Sequence, residues 1–365
     1  MTSAGQTAGL SIDPAPKGGT GPDISDKPRV AIIIVSYRGP NDVERCLRSI
    51  GQSDYHLFDV FICENGGSDS FDRLVATLAH TEDPVLRRSE ASGNLDEPGG
   101  RIVRSVTTKL AGRNAVVRLG EAIDNLGYGG GVNAWLERIL PEYRWDAVLV
   151  LNPDTEISCG CLSAFVLKSQ AGYGMIGGAL VFDDAPDRIV NFGLRWSRLT
   201  GRVIAVGRNE CAASRPSEEI LDRIDAISGA CVFVTRAFLD EVGLMYEEYF
   251  LYMEDLDWGQ RRGGQRIGYE PAALIRHVGG TSTGSAVELA KQSHLSIYLS
   301  ARNSILHARR RSVTAWPVYL AFGFTSALRY AMHGRPKAAL TAISGLIDGL
   351  KGKTGRPNAG SFASH

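Results

Sequence analysis

No two cysteines of this 365-residue chain stand in a CxxC spacing. The six (Cys46, Cys63, Cys159, Cys161, Cys211 and Cys231) are scattered, and Cys159-Gly160-Cys161 is too tight for a structural zinc knuckle. This excludes a disulfide scaffold and predicts reduced thiols in a cytoplasmic protein. Net charge is also missing. Forty basic residues balance forty acidic ones, so the basic surface that a phosphate backbone demands is absent and nucleic acid is excluded as the main partner. No apolar h-region follows Met1. Residues 1–28 are rich in Gly, Pro, Ser, Thr and Asp and are expected to form a disordered leader. No GxGxxG follows the first apolar run, where Ser36-Tyr37-Arg38-Gly39 stands instead. A dinucleotide-binding dehydrogenase is therefore disfavoured. What the chain does have is a 44% hydrophobic fraction, enough for one large domain with an appendage.

That fraction is patterned as strand, turn and helix in repetition. Val30–Val35 is an unbroken β-branched run, the mark of a strand buried on both faces. A helix over Asn41–Gln52, a strand over Phe58–Cys63 and a helix over Phe71–Ala79 follow. Residues 81–113 are polar, with Pro84, Pro98 and several glycines, and read as a long excursion rather than core. Ala115–Leu119 resumes the sheet, Val132–Leu140 is helical and Ala147–Leu151 is a further central strand. Such alternation predicts an α/β fold, a mostly parallel sheet with helices on both faces. Ligands bind beyond the carboxyl ends of such strands. That rule gathers Ser36–Tyr37, Glu64–Gly67, Asn125–Asn133 and Asn152–Asp154 around one crevice. After Leu151 the order changes to shorter strands or hairpins over Met175–Phe182, Arg188–Leu194, Arg202–Val206 and Ala230–Val234. Residues 286–310 are helical, and 313–350 form a more apolar helical tail.

Within this frame several motifs carry chemistry, each beside a plainer reading. Glu254, Asp255 and Asp257 crowd three carboxylates into four positions, among Tyr249, Phe250, Tyr252 and Trp258. Such a cluster suits acid–base work, a cation or a hydroxylated ligand; it also suits an ordinary helix N-terminus. Asn152-Pro153-Asp154 ends a strand and can present one carboxylate to a divalent ion, or simply turn the chain. Asp124–Asn133 is a glycine-rich loop opening a helix, whose N–H groups could receive phosphate. Glu64 ends the second strand, where it could accept from a base ring N–H or cap a turn. His277 follows a strand-like run, as a structural imidazole or as a metal or diphosphate contact.

Taken in order, these motifs resemble the family 2 glycosyltransferases of the GT-A fold, rhamnosyltransferase-like branch. The residues carrying the resemblance run from Ile32–Tyr37 through Glu64-Asn65-Gly66, Asn125–Asn133 and Leu151–Asp154. Ser228-Gly229-Ala230, Phe250–Asp257, His277–Gly280 and Tyr298–Asn303 complete the set. The resemblance implies a GT-A catalytic domain over 29–310, a nucleotide-sugar donor (dTDP-rhamnose) and an inverting transfer to a glycan or lipid-linked acceptor. It implies Asp255 as catalytic base, with Glu254, Asp257 and Trp258 supporting it or meeting the acceptor. Val35, Tyr37, Glu64, Asn125, Gly129, Asn133 and Asn152 would bind the donor, and Asp154 and His277 would hold magnesium or manganese. Asn152-Pro153 replaces the first acids of the family's DxD motif, and Glu64 replaces an Asp, which leaves the nucleotide open. UDP-galactofuranose, UDP-glucose or a GDP-sugar are alternative donors, and a non-catalytic sugar-nucleotide-binding module is the alternative class.

Residues 311–355 read as a helical extension and 356–365 as a flexible tail. Val313–Met332 is about long enough to span a bilayer, yet Pro317 and Arg329 interrupt it and basic residues flank both sides. This suits a helix lying on the inner face of the cell membrane, with packing on the catalytic domain or in a homodimer as the alternative.

Overall fold

The computed structural model describes residues 27–80, 100–110, 112–142, 144–278, 292–311 and 316–357. The first half follows the expected alternation: β1 (Val30–Ser36), α1 (Pro40–Gly51), β2 (Phe58–Glu64) and α2 (Ser68–His80). It continues through β3 (Ile102–Lys109), β4 (Val116–Ala122), α3 (Gly127–Ile139) and β5 (Ala147–Leu151). Next come β6 (Thr155–Ile157), α4 (Cys161–Ser169), β7 (Tyr173–Phe182), β8 (Ile189–Asn191) and the hairpin β9 (Gly193–Trp196) with β10 (Val203–Val206). The remainder is α5 (Glu218–Asp222), β11 (Cys231–Thr235), α6 (Arg236–Val242), α7 (Glu254–Gln260) and β12 (Arg266–His277). Three helices follow: α8 (His294–Arg311), α9 (Trp316–Met332) and α10 (Pro336–Leu350).

The main sheet runs β3-β4-β2-β1-β5-β11-β7-β12-β6, with β8 on β7. Strands β4, β2, β1 and β5 are mutually parallel, and β11 enters antiparallel between β5 and β7. Alternation along β1 shows why the run has no polar residue before Ser36. Val30, Ile32 and Ile34 pack toward α1, α2 and α4, while Ala31, Ile33 and Val35 pack toward α3 and α6. Each is buried, and full burial of one such side chain stabilises the fold by about 1.5–3 kcal/mol.

One expectation is overturned. The segment 81–113 is not wholly an excursion, because β3 pairs antiparallel with β4 and buries Ile102, with Leu110 just beyond it. Only two of its eight residues, Ile102 and Ser105, are buried and most of the others are polar, as suits an edge strand, so its hydrophobic signal is weak. Residues 81–99 lie outside the described residues, as do 1–26 of the expected leader and 358–365 of the expected tail. Arg356, placed in that tail, is tied by its guanidinium to Asp124 at 2.7 Å.

The C-terminal helices pack onto one another and onto β9 and α7. Gly345 and Gly349 let α10 approach the backbone of α8, since a Cβ there would lie 2.5 Å from the Tyr298 carbonyl oxygen and 2.7 Å from that of Arg302. Helix α9 docks through Tyr319, whose ring meets Trp196 edge-on and whose hydroxyl donates to the Arg198 carbonyl at 2.8 Å. Its opposite face keeps Val318, Phe324, Leu328 and Met332 exposed. Among the described residues no helix is long and apolar enough to cross a membrane.

Candidate active site

Strand register assembles the site. Ser36 pairs with Glu64, so β1 and β2 end together at the sheet's carboxyl edge. One strand over, β5 ends at Leu151, and β12 pairs with β6 so that His277 lies opposite Thr155. That register brings His277 Nε2 to 3.6 Å from Asp154 Oδ1. Asp154 is buried, and its Oδ1 accepts no hydrogen bond. A buried carboxylate oxygen without a donor is costly, and the pair opens on a cleft of about 950 Å³. The donor set fits a divalent cation with two protein ligands, the rest coming from substrate oxygens and water. Among the described residues no group of three or more His, Cys, Asp or Glu could hold a metal without such help.

The acidic cluster enters the same cleft from α7. Phe250, Tyr252 and Met253 all have positive φ, 65°, 69° and 82°, a region that costs non-glycine residues roughly 1–2 kcal/mol each. Buried Arg302 and Asn303 on α8 hold this turn from behind. Arg302 donates to the Tyr249 carbonyl at 2.9 Å, and Asn303 Nδ2 to those of Tyr249, Leu251 and Tyr252. Neither residue was expected to matter individually, although Tyr298–Asn303 was among the motifs. The turn delivers Glu254 and Asp255 to the start of α7.

The three carboxylates separate into different environments. Asp255 lines the cleft and accepts from Gly229 N–H on Oδ2 at 2.9 Å and from Leu256 N–H on Oδ1 at 2.8 Å. Desolvation raises its pKa, and those backbone donors oppose the shift. Glu254 is more deeply buried, with Oε2 lacking any hydrogen-bond partner. Burial first, and the Asp255 charge second, push its carboxyl up to about 8. Asp257 does not reach the cleft. It turns toward α8, where Arg261 Nε donates to Oδ2 at 2.8 Å and Tyr249, His307 and Arg311 surround Oδ1. Trp258 is likewise core, edge-on to Phe238, with its indole N–H donated to the Gly243 carbonyl. The aromatic side chains lining the cleft include Phe250, Tyr252 and Tyr128.

Of the expected donor-binding residues, Val35, Tyr37, Asn125 and Asn152 line the cleft. Glu64 is buried beneath the β2 turn. Its Oε1 accepts from Arg38 and Gly66 N–H groups at 3.1 and 2.7 Å, and Oε2 has no partner. Asn133 faces away, binding both backbone groups of Met245 and the Glu247 carboxylate. The glycine-rich loop differs from a phosphate cradle. Gly127 N–H is taken by Asn125 Oδ1 and Tyr128 N–H by the Phe250 carbonyl. Its glycines serve close approach: a Cβ on Gly127, at φ 75°, would lie 2.1 Å from the Phe250 carbonyl oxygen, and one on Gly131 would lie 2.7 Å from Val35 Cγ1. Gly129 sits against Glu254. Asn65, overlooked as an individual site residue, lines the cleft and donates to the Gly127 carbonyl at 2.8 Å, locking the loop to β2.

Comparison with known proteins follows this geometry. No family model matches the chain. It is 31% identical over 254 residues to the N-acetylglucosaminyl-diphospho-decaprenol L-rhamnosyltransferase of Mycobacterium tuberculosis, covering 62% of this chain and 78% of that protein. It is 22% identical over 243 residues to the low-salt glycan biosynthesis hexosyltransferase Agl10 of Haloferax volcanii, covering 64% and 75% respectively. Among solved structures, the mannosyltransferase PcManGT from Pyrobaculum calidifontis, in complex with GDP-Man and Mn2+, superposes with a TM-score of 0.47 at 14% identity. That match covers 93% of this chain and 92% of the other. On the strength of the rhamnosyltransferase match, the chain belongs to the rhamnosyltransferase-like glycosyltransferases, whose GT-A fold the resemblance implied.

Proposed function

We propose that the protein transfers a sugar, rhamnose from dTDP-rhamnose in the reading the sequence favours, to a hydroxyl of a lipid-linked glycan precursor, with inversion. The observation that carries this is the shared cleft. Asp255, oriented by the Gly229 N–H, opens on the same space as the Asp154–His277 pair. In-line displacement requires one base at the acceptor hydroxyl and charge neutralisation at the leaving group; Asp255 suits the first, and Asp154 with His277 would serve the second by holding a divalent cation.

The residues divide the work. Glu254, with its carboxyl pushed up to about 8, keeps the proton that the pair shares at neutral pH. Asp255 is thereby left anionic, its two oxygens held by backbone donors. It takes the acceptor hydroxyl's proton as that oxygen bonds to the anomeric carbon, and the electron pair of the breaking C–O bond leaves with the nucleoside diphosphate. Val35, Tyr37 and Asn125 frame the nucleotide at the ends of β1 and α3. Asp154 and His277 would hold magnesium or manganese, which when bound neutralises charge on the departing diphosphate. Helix α9, docked on one face and apolar on the other, suits contact with the inner face of the membrane that holds the acceptor.

A panel of dTDP-, UDP- and GDP-sugars, with and without manganese, tests the reading through nucleoside diphosphate release. Release from dTDP-rhamnose that Asp255→Asn abolishes is expected. The transferase reading is defeated by a panel with no release, or by release that the substitution leaves unchanged.

A further inference from the structure

The chain returns to the cleft after its last helix. Beyond α10 it reverses at Gly352 and Gly355, both in the left-handed region with φ of 72° and 71°, and runs back to the turn that precedes α7. Hydrogen bonds hold it there. Gly355 N–H donates to the Glu248 carbonyl at 2.7 Å, and Arg302 Nη1 donates to the Gly355 carbonyl at 2.7 Å. Arg302 is the same buried side chain whose Nη2 holds the Tyr249 carbonyl, so one guanidinium fixes this strap relative to the catalytic turn. The next two residues, Arg356 and Pro357, line the cleft.

The sheet locates Arg356 within the cleft. Its Nη1 donates to Asp124 Oδ1 at 2.7 Å, and Asp124 follows the end of β4, directly before the cleft residue Asn125. Asp154 follows β5. Strands β4 and β5 are separated by β2 and β1, three strand spacings or roughly 14 Å. A nucleoside diphosphate with its phosphates at Asp154 and His277 therefore carries its base toward β1, β2 and β4. That end is poor in charged contacts. Glu64, expected to read the base, is buried beneath its turn, with Oε1 taken by Arg38 and Gly66 N–H groups. The residues that β1, β2 and the β4–α3 loop give to the cleft include no cation. Arg356 supplies one. Among the described residues Asp124 is its only partner, and with that carboxylate 70% exposed the pair contributes little to stability.

From this placement we infer that Arg356 is a donor-binding residue carried in by the C-terminal strap, its guanidinium stacking on the base of the bound nucleotide. The inference rests on the nucleotide-sugar donor proposed above and deepens it. A guanidinium is planar and weakly hydrated, so it covers the face of a base where an ammonium does not. Held by Asp124, it has little freedom left to lose when the base arrives.

Calorimetric titration of the full chain in EDTA with thymidine, dTMP and dTDP, and with their uracil and guanine counterparts, tests this without requiring turnover. Arg356→Gln is expected to weaken the nucleoside, monophosphate and diphosphate of the preferred base by one common factor of about tenfold, and raised salt should leave that factor unchanged. Arg356→Lys, which keeps the charge and loses the planar surface, should fall between. The side chain is half-exposed, so both variants should keep the thermal midpoint of the unaltered protein. A loss confined to the diphosphate, or erased by salt, would overturn the inference, because the guanidinium would then be meeting phosphate. Unchanged affinities would overturn it too, leaving the strap as a structural tie. Arg356-dependent nucleotide binding in a protein that releases no diphosphate from any donor would instead defeat the transferase reading and leave the base contact standing.

Discussion

The side-chain amide of Asn303 donates to the carbonyl of Tyr252 at 2.9 Å. The same nitrogen reaches the carbonyls of Leu251 and Tyr249 at 2.8 and 3.0 Å. One buried amide thus gathers a turn in which Phe250, Tyr252 and Met253 occupy the left-handed region, and the turn sets where α7 begins. A strained conformation persists only where its surroundings over-determine it. Asn303→Ala would remove this donor from the Leu251 and Tyr252 carbonyls, the Tyr249 carbonyl keeping that of Arg302, at a cost of about 1–3 kcal/mol in stability. It should also lower kcat with donor affinity preserved, because the turn positions Glu254 and Asp255 rather than the nucleotide. Urea denaturation beside single-turnover rates checks this. A stability loss with an unchanged rate would show that the turn does not position the base.

Asp255 and Asp257 are two residues apart in sequence and lie in different environments. Asp255→Asn should lower kcat by about 10²–10⁴-fold, the range for loss of a general base, with little change in thermal midpoint. Asp257→Asn should do the reverse. It breaks the buried pair with Arg261, which typically costs about 3–5 kcal/mol, while the folded fraction should keep its rate. Paired melting curves and rates at a permissive temperature separate the two roles, and loss of activity in both variants without destabilisation would refute the division.

Chelation is the third test. Treatment with EDTA is expected to stop transfer, with magnesium or manganese restoring it. Asp154→Asn should prevent the restoration, since its Oδ1 has no competing hydrogen bond to retain. His277→Ala should raise the metal concentration needed. Nucleoside diphosphate affinity, titrated with and without metal, provides a readout independent of turnover. Affinity that ignores both the metal and Asp154 would rule out the pair as the ligand set.

Much of this arrangement was legible from the chain alone, for reasons that also mark where legibility ended. The run Val30–Val35 has no reading other than a strand buried on both faces, and Asn152-Pro153-Asp154 follows another such run directly. Strand ends are local, so the residues placed there could be read. Strand β3 was missed because an edge strand needs little apolar burial, and its mostly polar composition resembles a loop. Asn133 and Trp258 were misplaced because a helix turns its side chains by about 100° per residue, and the direction facing the cleft is set by packing that no local pattern encodes. The glycine-rich loop misled differently. Its composition signals close approach, yet the approaching group is the Phe250 carbonyl, more than a hundred residues away. Only Gly345 and Gly349, at helical spacing in an apolar segment, could have hinted that α10 packs tightly on α8.

Glu254 yields the sharpest pH dependence. In an unfolded chain its carboxyl loses its proton near 4.5, and in the folded protein near 8. Between these values the native state binds more protons than the unfolded one, so stability falls as pH rises through the window, and the loss is complete above about pH 8. Asp255 is shifted in the same direction and contributes to the slope. Glu254→Gln keeps the neutral, hydrogen-bonding shape that Glu254 has at pH 7 and has no proton to release. Its stability should therefore decline less steeply between pH 5 and 8 and exceed that of the unaltered protein on the alkaline side, with kcat near pH 7 little changed. Urea midpoints measured for both proteins from pH 5 to pH 9 decide the point. Parallel slopes would mean that the proton shared by the pair is not held on Glu254, and the assignment of Asp255 as the anionic partner would lose its support.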